Sequence, residues 1–168
     1  MADAGPEYLG QLVDAHAATL TLYARQWCAT PEDVVQEAFI KLITQRVPPV
    51  PVVPWLYRVV RNAAISATRS ARRRQRHEGV AAGRTPAWFV PVEARGLDER
   101  AATTALQGLP IEQREAIVAH LWGGLTFEQI ADVMGSSSST THRWYLAGLA
   151  ALRERLKLPC PNNPARPR

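Results

Sequence analysis

From Tyr8 to Trp27 the apolar side chains recur at steps of three and four: Tyr8, Leu9, Leu12, Val13, Ala17, Leu20, Tyr23, Ala24 and Trp27. That period winds them onto one side of a helix, whereas a half-buried strand would alternate at every second residue. The same step returns in Val34, Val35, Ala38, Phe39, Leu42 and Ile43, and again in Trp55, Leu56, Val59, Val60 and Ala63. The expected fold is therefore all-α. A chain of 168 residues with 46% hydrophobic residues can bury one ordinary core or two small ones.

Local chemistry marks where these helices begin and end. "TPEDVVQEAFIKLITQR" opens with Thr30 as N-cap, Pro31 at the first helical position and acids in the first turn, and Thr30 and Asp33 have capping-box spacing. Asp33, Gln36, Glu37 and Lys41 fall on its outer side. "VPPVPVVP" is read as an extended crossover, because proline removes donors and fixes φ, and Pro54 is placed at the start of a third helix. These three helices form a first module over residues 1–77. Over 78–96 the Gly, Pro and Ala content rises and the period disappears, which reads as a flexible linker that its own Trp88 and Phe89 could dock onto another part of the protein. A second helical module is expected over 97–158, and "LPCPNNPARPR" reads as a disordered tail over 159–168.

Within the second module, helices are expected from about Leu97 to Gln107, Ile111 to Trp122 and Thr126 to Met134. Thr126 and Gln129 again have capping-box spacing, and Gly135 suits a left-handed C-cap. The following "SSSSTT" has the composition of a linker, yet a periodic set (Trp144 or Tyr145, Leu149, Leu152, Leu156) resumes at once. A short helix, a glycine turn and a second helix starting near Ser137 or Ser138 make a helix-turn-helix. In that unit the first residues of the second helix enter the major groove, where Arg143 can reach guanine.

Charge supports a polyanion partner. Lys41, Arg46, Arg58, Arg61, Arg69, Arg72, Arg73, Arg74 and Arg76 fall between Ala38 and His77, where there is no Asp or Glu, although the whole chain carries only +5. Such a local excess points to nucleic acid. The N-terminus lacks the basic and apolar regions of a signal peptide, and no apolar run reaches the eighteen or so residues of a membrane span, so a cytoplasmic protein is expected. Cys28 and Cys160 are far apart and outside any Cys/His cluster, which argues for no metal, no disulfide framework and no cofactor.

"EDVVQEAFIKL", "WLYRVVRNAA" followed by "RRR", "LQGLPIEQREAIVAHLWGGLTFEQIADVMG" and "LAGLAALRERL" together resemble the bacterial RNA polymerase sigma factors of the extracytoplasmic-function (ECF) group. The resemblance runs from Glu7 to Leu158 in the family's order. It implies a non-enzymatic subunit that binds core RNA polymerase and promoter DNA, and it admits an anti-sigma factor as a further partner. It assigns Asp33, Gln36 and Glu37 to the clamp helices of the β′ subunit, and the second module to the flap of the β subunit. Trp55, Arg58, Arg61 and Asn62 become candidates for the start-proximal (-10) element, with Arg69, Arg72, Arg73, Arg74 and Arg76 on phosphates. Ser137, Ser138, Ser139, Thr140, His142 and Arg143 are assigned to the upstream (-35) element.

On their own chemistry the same residues admit other roles. Asp33 can be a capping residue, Gln36 and Glu37 merely solvated, Trp55 core rather than stacking platform, and His142 either a phosphate contact or solvated. Three departures from the family lie in the turn: Ser136 where an apolar residue usually packs, Thr141 where valine is usual, and Trp144 with Tyr145 where a basic residue and leucine are common. A weakly packed turn is the expectation. Two rival functions remain: a helix-turn-helix regulator acting without polymerase, and a DNA recombinase or transposase. The first gives the helix from Asp33 to Lys41 no task. The second needs a carboxylate cluster or an activated serine, and "SSSS" has only His142 near it as a base.

Overall fold

A computed structural model describes residues 6–78 and 99–157. They form seven helices and, among the described residues, no strand: α1 (Pro6–Ala24), α2 (Pro31–Ile43), α3 (Val52–Glu78), α4 (Glu99–Gln107), α5 (Ile111–Leu121), α6 (Phe127–Met134) and α7 (Ser138–Arg155). The Pro-rich tail, and the expected linker beyond Glu78 with Trp88 and Phe89, lie outside the described residues.

The helices α1, α2 and α3 pack on one another as a first unit, and their predicted apolar faces are the ones buried. Leu12, Leu20 and Tyr23 of α1 meet Val34, Val35, Ala38 and Phe39 of α2 and Leu56, Tyr57 and Val60 of α3. Thr68 pins the middle of α3 to the turn after α1, its hydroxyl donating to the Trp27 carbonyl at 2.5 Å. At about 1.5 Å per residue, the 27 residues of α3 span about 40 Å. Its last turns carry Arg72, Arg73, Arg74 and Arg76, all exposed.

Two expectations at helix starts need correction. Thr30 occupies the N-cap of α2, but its side chain makes no cap hydrogen bond; Pro31 at the first position supplies the start, since it lacks one of the donors that would go unsatisfied there. The crossover is shorter than "VPPVPVVP" suggests, because α3 begins at Val52, before Pro54. Proline is tolerated in a first turn, where its missing N–H has no intrahelical acceptor to lose.

In the second unit α7 packs along α5 and α6, with α4 against its far end. The Thr126 hydroxyl accepts the Gln129 N–H at 3.2 Å while the Gln129 side chain accepts the Thr126 N–H at 3.0 Å, completing the expected capping box. Gly135 ends α6 at φ 69°, a left-handed conformation that costs a residue with a Cβ about 1–2 kcal/mol. The serines then resolve into structure rather than linker. Ser137 is the N-cap of α7, its hydroxyl accepting the Thr140 N–H at 3.2 Å.

Candidate nucleic-acid interface

The outward side of α2 carries Asp33, Gln36 and Glu37, all exposed as the helical period requires. Glu37 holds an i,i+4 ion pair with Lys41 at 2.9 Å, an exposed pair that contributes a few tenths of a kcal/mol. Sequence reasoning missed two neighbours: Ile40 and Ile43 are 52% and 61% exposed at the C-terminal end of this helix. Ile43 was counted with the apolar set and Ile40 with neither side, and Ile40 stands one turn beyond Gln36 and Glu37, on their side. An outward face that combines acid, amide and large apolar side chains suits docking better than solvation.

On α3, Trp55 is half-buried and packs against the core, as its position at the helix start suggested, while Arg58 and Asn62 are exposed. Arg69, Arg72, Arg73 and Arg74 have no carboxylate paired with them among the described residues. Arg73 donates only to the Ser70 hydroxyl, at 3.3 Å. Exposed and uncompensated, this end of α3 is free to follow a phosphate backbone.

Arg61 is placed differently. Its Nε and Nη2 donate side-on to the two carboxylate oxygens of Glu115 on α5, at 2.6 and 3.4 Å, and its guanidinium lies 5.9 Å from the centre of the Trp27 ring. Glu115 is only 1% exposed, and the buried Tyr23 hydroxyl donates to the same carboxylate at 2.5 Å. Burial pushes the Glu115 carboxyl above the ordinary carboxylate range, against the pull of Arg61 and Tyr23. Burial and the neighbouring carboxylate push the Tyr23 phenol well up, so it stays protonated and donates. Burial opposes the charge on Arg61, but its hydrogen bond and attraction to Glu115 outweigh that and leave its pKa raised. Removing one member of such a cluster strands the others, at a cost of about 3–5 kcal/mol.

This cluster joins the two units, which the sequence presents as separate. Arg58 Nη2 also donates to the Asp132 carbonyl of α6 at 3.2 Å. Gly123, in the turn between α5 and α6, lies so close to α3 that a Cβ there would stand 2.5 Å from the Tyr57 hydroxyl.

The start of α7 divides the predicted serines and threonines into two groups. The Ser137 hydroxyl is committed: besides accepting the Thr140 N–H, it donates to the Thr140 hydroxyl at 2.9 Å. Ser138 and Thr140 are half-buried. Ser139, His142, Arg143 and Leu146 are exposed at three and four residue steps, so they form the outward stripe of the helix. His142 leans its ring edge on Phe127 at 4.8 Å, and Phe127 stacks on His120 at 4.4 Å. Tyr145 closes the group against both rings. The turn is thus not short of contacts, contrary to expectation. Thr141 is fully buried with its hydroxyl 2.8 Å from that of Ser136, and Tyr145 packs against the core.

A helix-turn-helix with a polar outward stripe, packed on a three-helix unit that carries a long basic helix, defines a DNA-binding protein of two helical units. Residues 12–74 match the family described as Sigma-70 region 2, and residues 99–152 the one described as Sigma-70, region 4. RNA polymerase sigma factor CarQ of Myxococcus xanthus is 34% identical over 135 residues, covering 76% of this chain and 75% of that protein. ECF RNA polymerase sigma factor SigL of Mycobacterium tuberculosis is 33% identical over 152 residues, covering 84% and 85%. The sigma factor RpoE of Bartonella quintana, solved in complex with the anti-sigma factor NepR, shares the fold with a TM-score of 0.73 at 24% identity, over 93% of this chain and 100% of that one. The chain belongs to the sigma-70 family of RNA polymerase sigma factors, in its extracytoplasmic-function group. Proteins of this family are non-enzymatic regulators of transcription initiation, and their partners are core RNA polymerase and promoter DNA. Among the described residues no helix is long and apolar enough to cross a membrane.

Proposed function

We propose that this chain binds core RNA polymerase through α2 and directs promoter-specific initiation by reading two promoter elements, one with each helical unit. Residues 1–77 serve as the unit for core binding and the start-proximal (-10) element, and residues 97–158 as the unit for the upstream (-35) element. Asp33, Gln36 and Glu37 dock on the polymerase. Trp55, Arg58, Arg61 and Asn62 face the opened start-proximal element, where arginines hold phosphates and an aromatic edge can meet an unstacked base. Arg69, Arg72, Arg73 and Arg74 follow the backbone beside it. On α7, Ser139, His142 and Arg143 read the upstream element, with Ser137, Ser138 and Thr140 at the helix mouth against its backbone. The chain works in the cytoplasm, where core polymerase is found, and an anti-sigma factor of the kind bound to RpoE is a further partner.

The observation that carries this reading is the outward face of α2, where Asp33, Gln36 and Glu37 adjoin the exposed Ile40. A helix-turn-helix regulator acting alone has no use for such a face. Reversing the charge at Glu37 together with Gln36→Ala is expected to lower affinity for core polymerase about tenfold or more with helicity preserved, by analogy with truncated interface residues that each cost above about 1 kcal/mol. Unchanged core affinity overturns the assignment.

A further inference from the structure

The outward stripe of α7 carries one side chain whose charge changes near neutral pH. His142 is exposed beside Arg143, between Ser139 and Leu146. Among the described residues its ring meets one other, that of Phe127 at the first position of α6, with centres 4.8 Å apart and planes inclined by 61°. Phe127 is held in turn by His120, stacked on it at 4.4 Å, and by Tyr145 at 5.2 Å. The imidazole is thus kept on the flank of α7 that adjoins the start of α6. In a helix-turn-helix the first helix crosses the DNA backbone while the second lies in the groove, so this flank faces phosphate rather than the groove floor.

The groups around His142 leave its charge free to act outward. On α7 the neighbours are Arg143 and the Tyr145 phenol, on α5 His120, and on α6 the exposed carboxylates of Glu128 and Asp132. Neither carboxylate forms an ion pair with His142 among the described residues. His120 lies on the other side of Phe127, and its Nδ1 is 2.8 Å from the Leu125 carbonyl, which can only accept. That nitrogen is committed within the fold, whereas neither nitrogen of His142 is.

We propose that His142 makes binding of the upstream element pH-dependent: as imidazolium it donates a charge-assisted hydrogen bond to a backbone phosphate, and as neutral imidazole it loses the charge that strengthens this bond. The proposal rests on the reading of α7 as the helix that meets the upstream element. Histidine changes its charge between pH 5 and 8, so the contact is strong at the acid end of that range and weakens as the pH rises through it. Binding then takes up a proton wherever the free imidazole is neutral. Arg143 stays charged throughout, so the preference for guanine persists while the affinity changes.

The test is the affinity of the full-length chain for a duplex carrying the preferred upstream element, measured at pH 6 and pH 8 over a series of salt concentrations. His77, the other exposed histidine among the described residues, lies at the basic end of α3 and is replaced by Gln in every protein compared. Affinity is expected to fall about tenfold from pH 6 to pH 8, as the loss of a hydrogen bond to a charged group implies. The salt slope is expected to become shallower by up to about one unit, the share of one phosphate. His142→Gln is expected to abolish both changes, and His142→Arg to keep the pH 6 affinity at pH 8. Equal affinity at the two pH values overturns the proposal, as does a pH dependence that survives His142→Gln or His142→Arg. A fall in affinity with an unchanged salt slope overturns the phosphate contact. A failure of the underlying reading looks different: Arg143→Ala then leaves the matched duplex bound as tightly as before at both pH values.

Discussion

The Ser136 hydroxyl lies 2.8 Å from the Thr141 hydroxyl, across the turn between α6 and α7. Thr141 is fully buried, so its hydroxyl depends on that partner, and two residues that look individually unsuited to a packed turn satisfy each other. Ser136→Ala is expected to destabilise the second unit by about 1–3 kcal/mol by leaving a buried hydroxyl unpaired. Ser136→Ala with Thr141→Val removes both polar groups and is expected to recover most of the loss. Urea denaturation of the two variants checks this; a double variant no better than the single one means that the hydroxyls are not coupled.

Proline scanning of the serine run distinguishes positions in α7. The Thr141 N–H donates to the Ser137 carbonyl at 2.9 Å, the first backbone bond of the helix. Thr141→Pro deletes that bond and drives the ring into the same carbonyl, at about 3 kcal/mol. It is expected to abolish protection of the upstream element while core binding through α2 persists. Ser138→Pro, at the first helical position, is expected to be tolerated. Ser137→Pro loses the cap and is expected to cost about 1 kcal/mol, more than its place at the helix mouth suggests. Footprinting with a parallel core-binding assay reads all three, and normal upstream protection by Thr141→Pro contradicts the helical assignment.

Arginines on α3 and α7 are expected to respond differently to salt and to sequence. Replacing Arg72, Arg73 and Arg74 by Ala is expected to weaken DNA binding equally for all sequences and to make the salt slope shallower by roughly two to three units. Arg143→Ala is expected to cost about 1–3 kcal/mol on the preferred upstream element and little on random DNA. Titrations at several salt concentrations on matched and scrambled duplexes separate the two. A loss confined to one sequence for the α3 variant contradicts its role as a phosphate grip.

Features written in local chemistry were legible in the sequence. The Thr126–Gln129 capping box, Gly135 and the face of α2 each depend on residues within about one helical turn of one another, so spacing alone places them. The contact between the units was not legible, because its members give no local signal. Tyr23 reads as one more apolar residue of α1, Arg61 as one more cation of the basic stripe, and Glu115 as a helix surface acid 92 and 54 residues away from them. The one sequence clue is "EAIVA", where Glu115 to Ala119 are five consecutive buried residues: a short helix covered on all sides loses the amphipathic period, and an acid within it must find partners. The start of α7 lies between these cases. Its helix was readable, but the commitment of the Ser137 hydroxyl to Thr140, and the ring cluster of His120, Phe127 and His142, follow from how the second unit closes.

Single-round transcription with purified core polymerase, on a promoter fragment selected by the reconstituted complex, tests the central claim most directly. Core polymerase alone is expected to start no specific transcript, addition of this chain to yield one start site, and Glu37 charge reversal with Gln36→Ala to remove it. Equal protection of the fragment by the chain with and without core polymerase, and no transcript in either case, would contradict the account and favour a regulator that acts without polymerase.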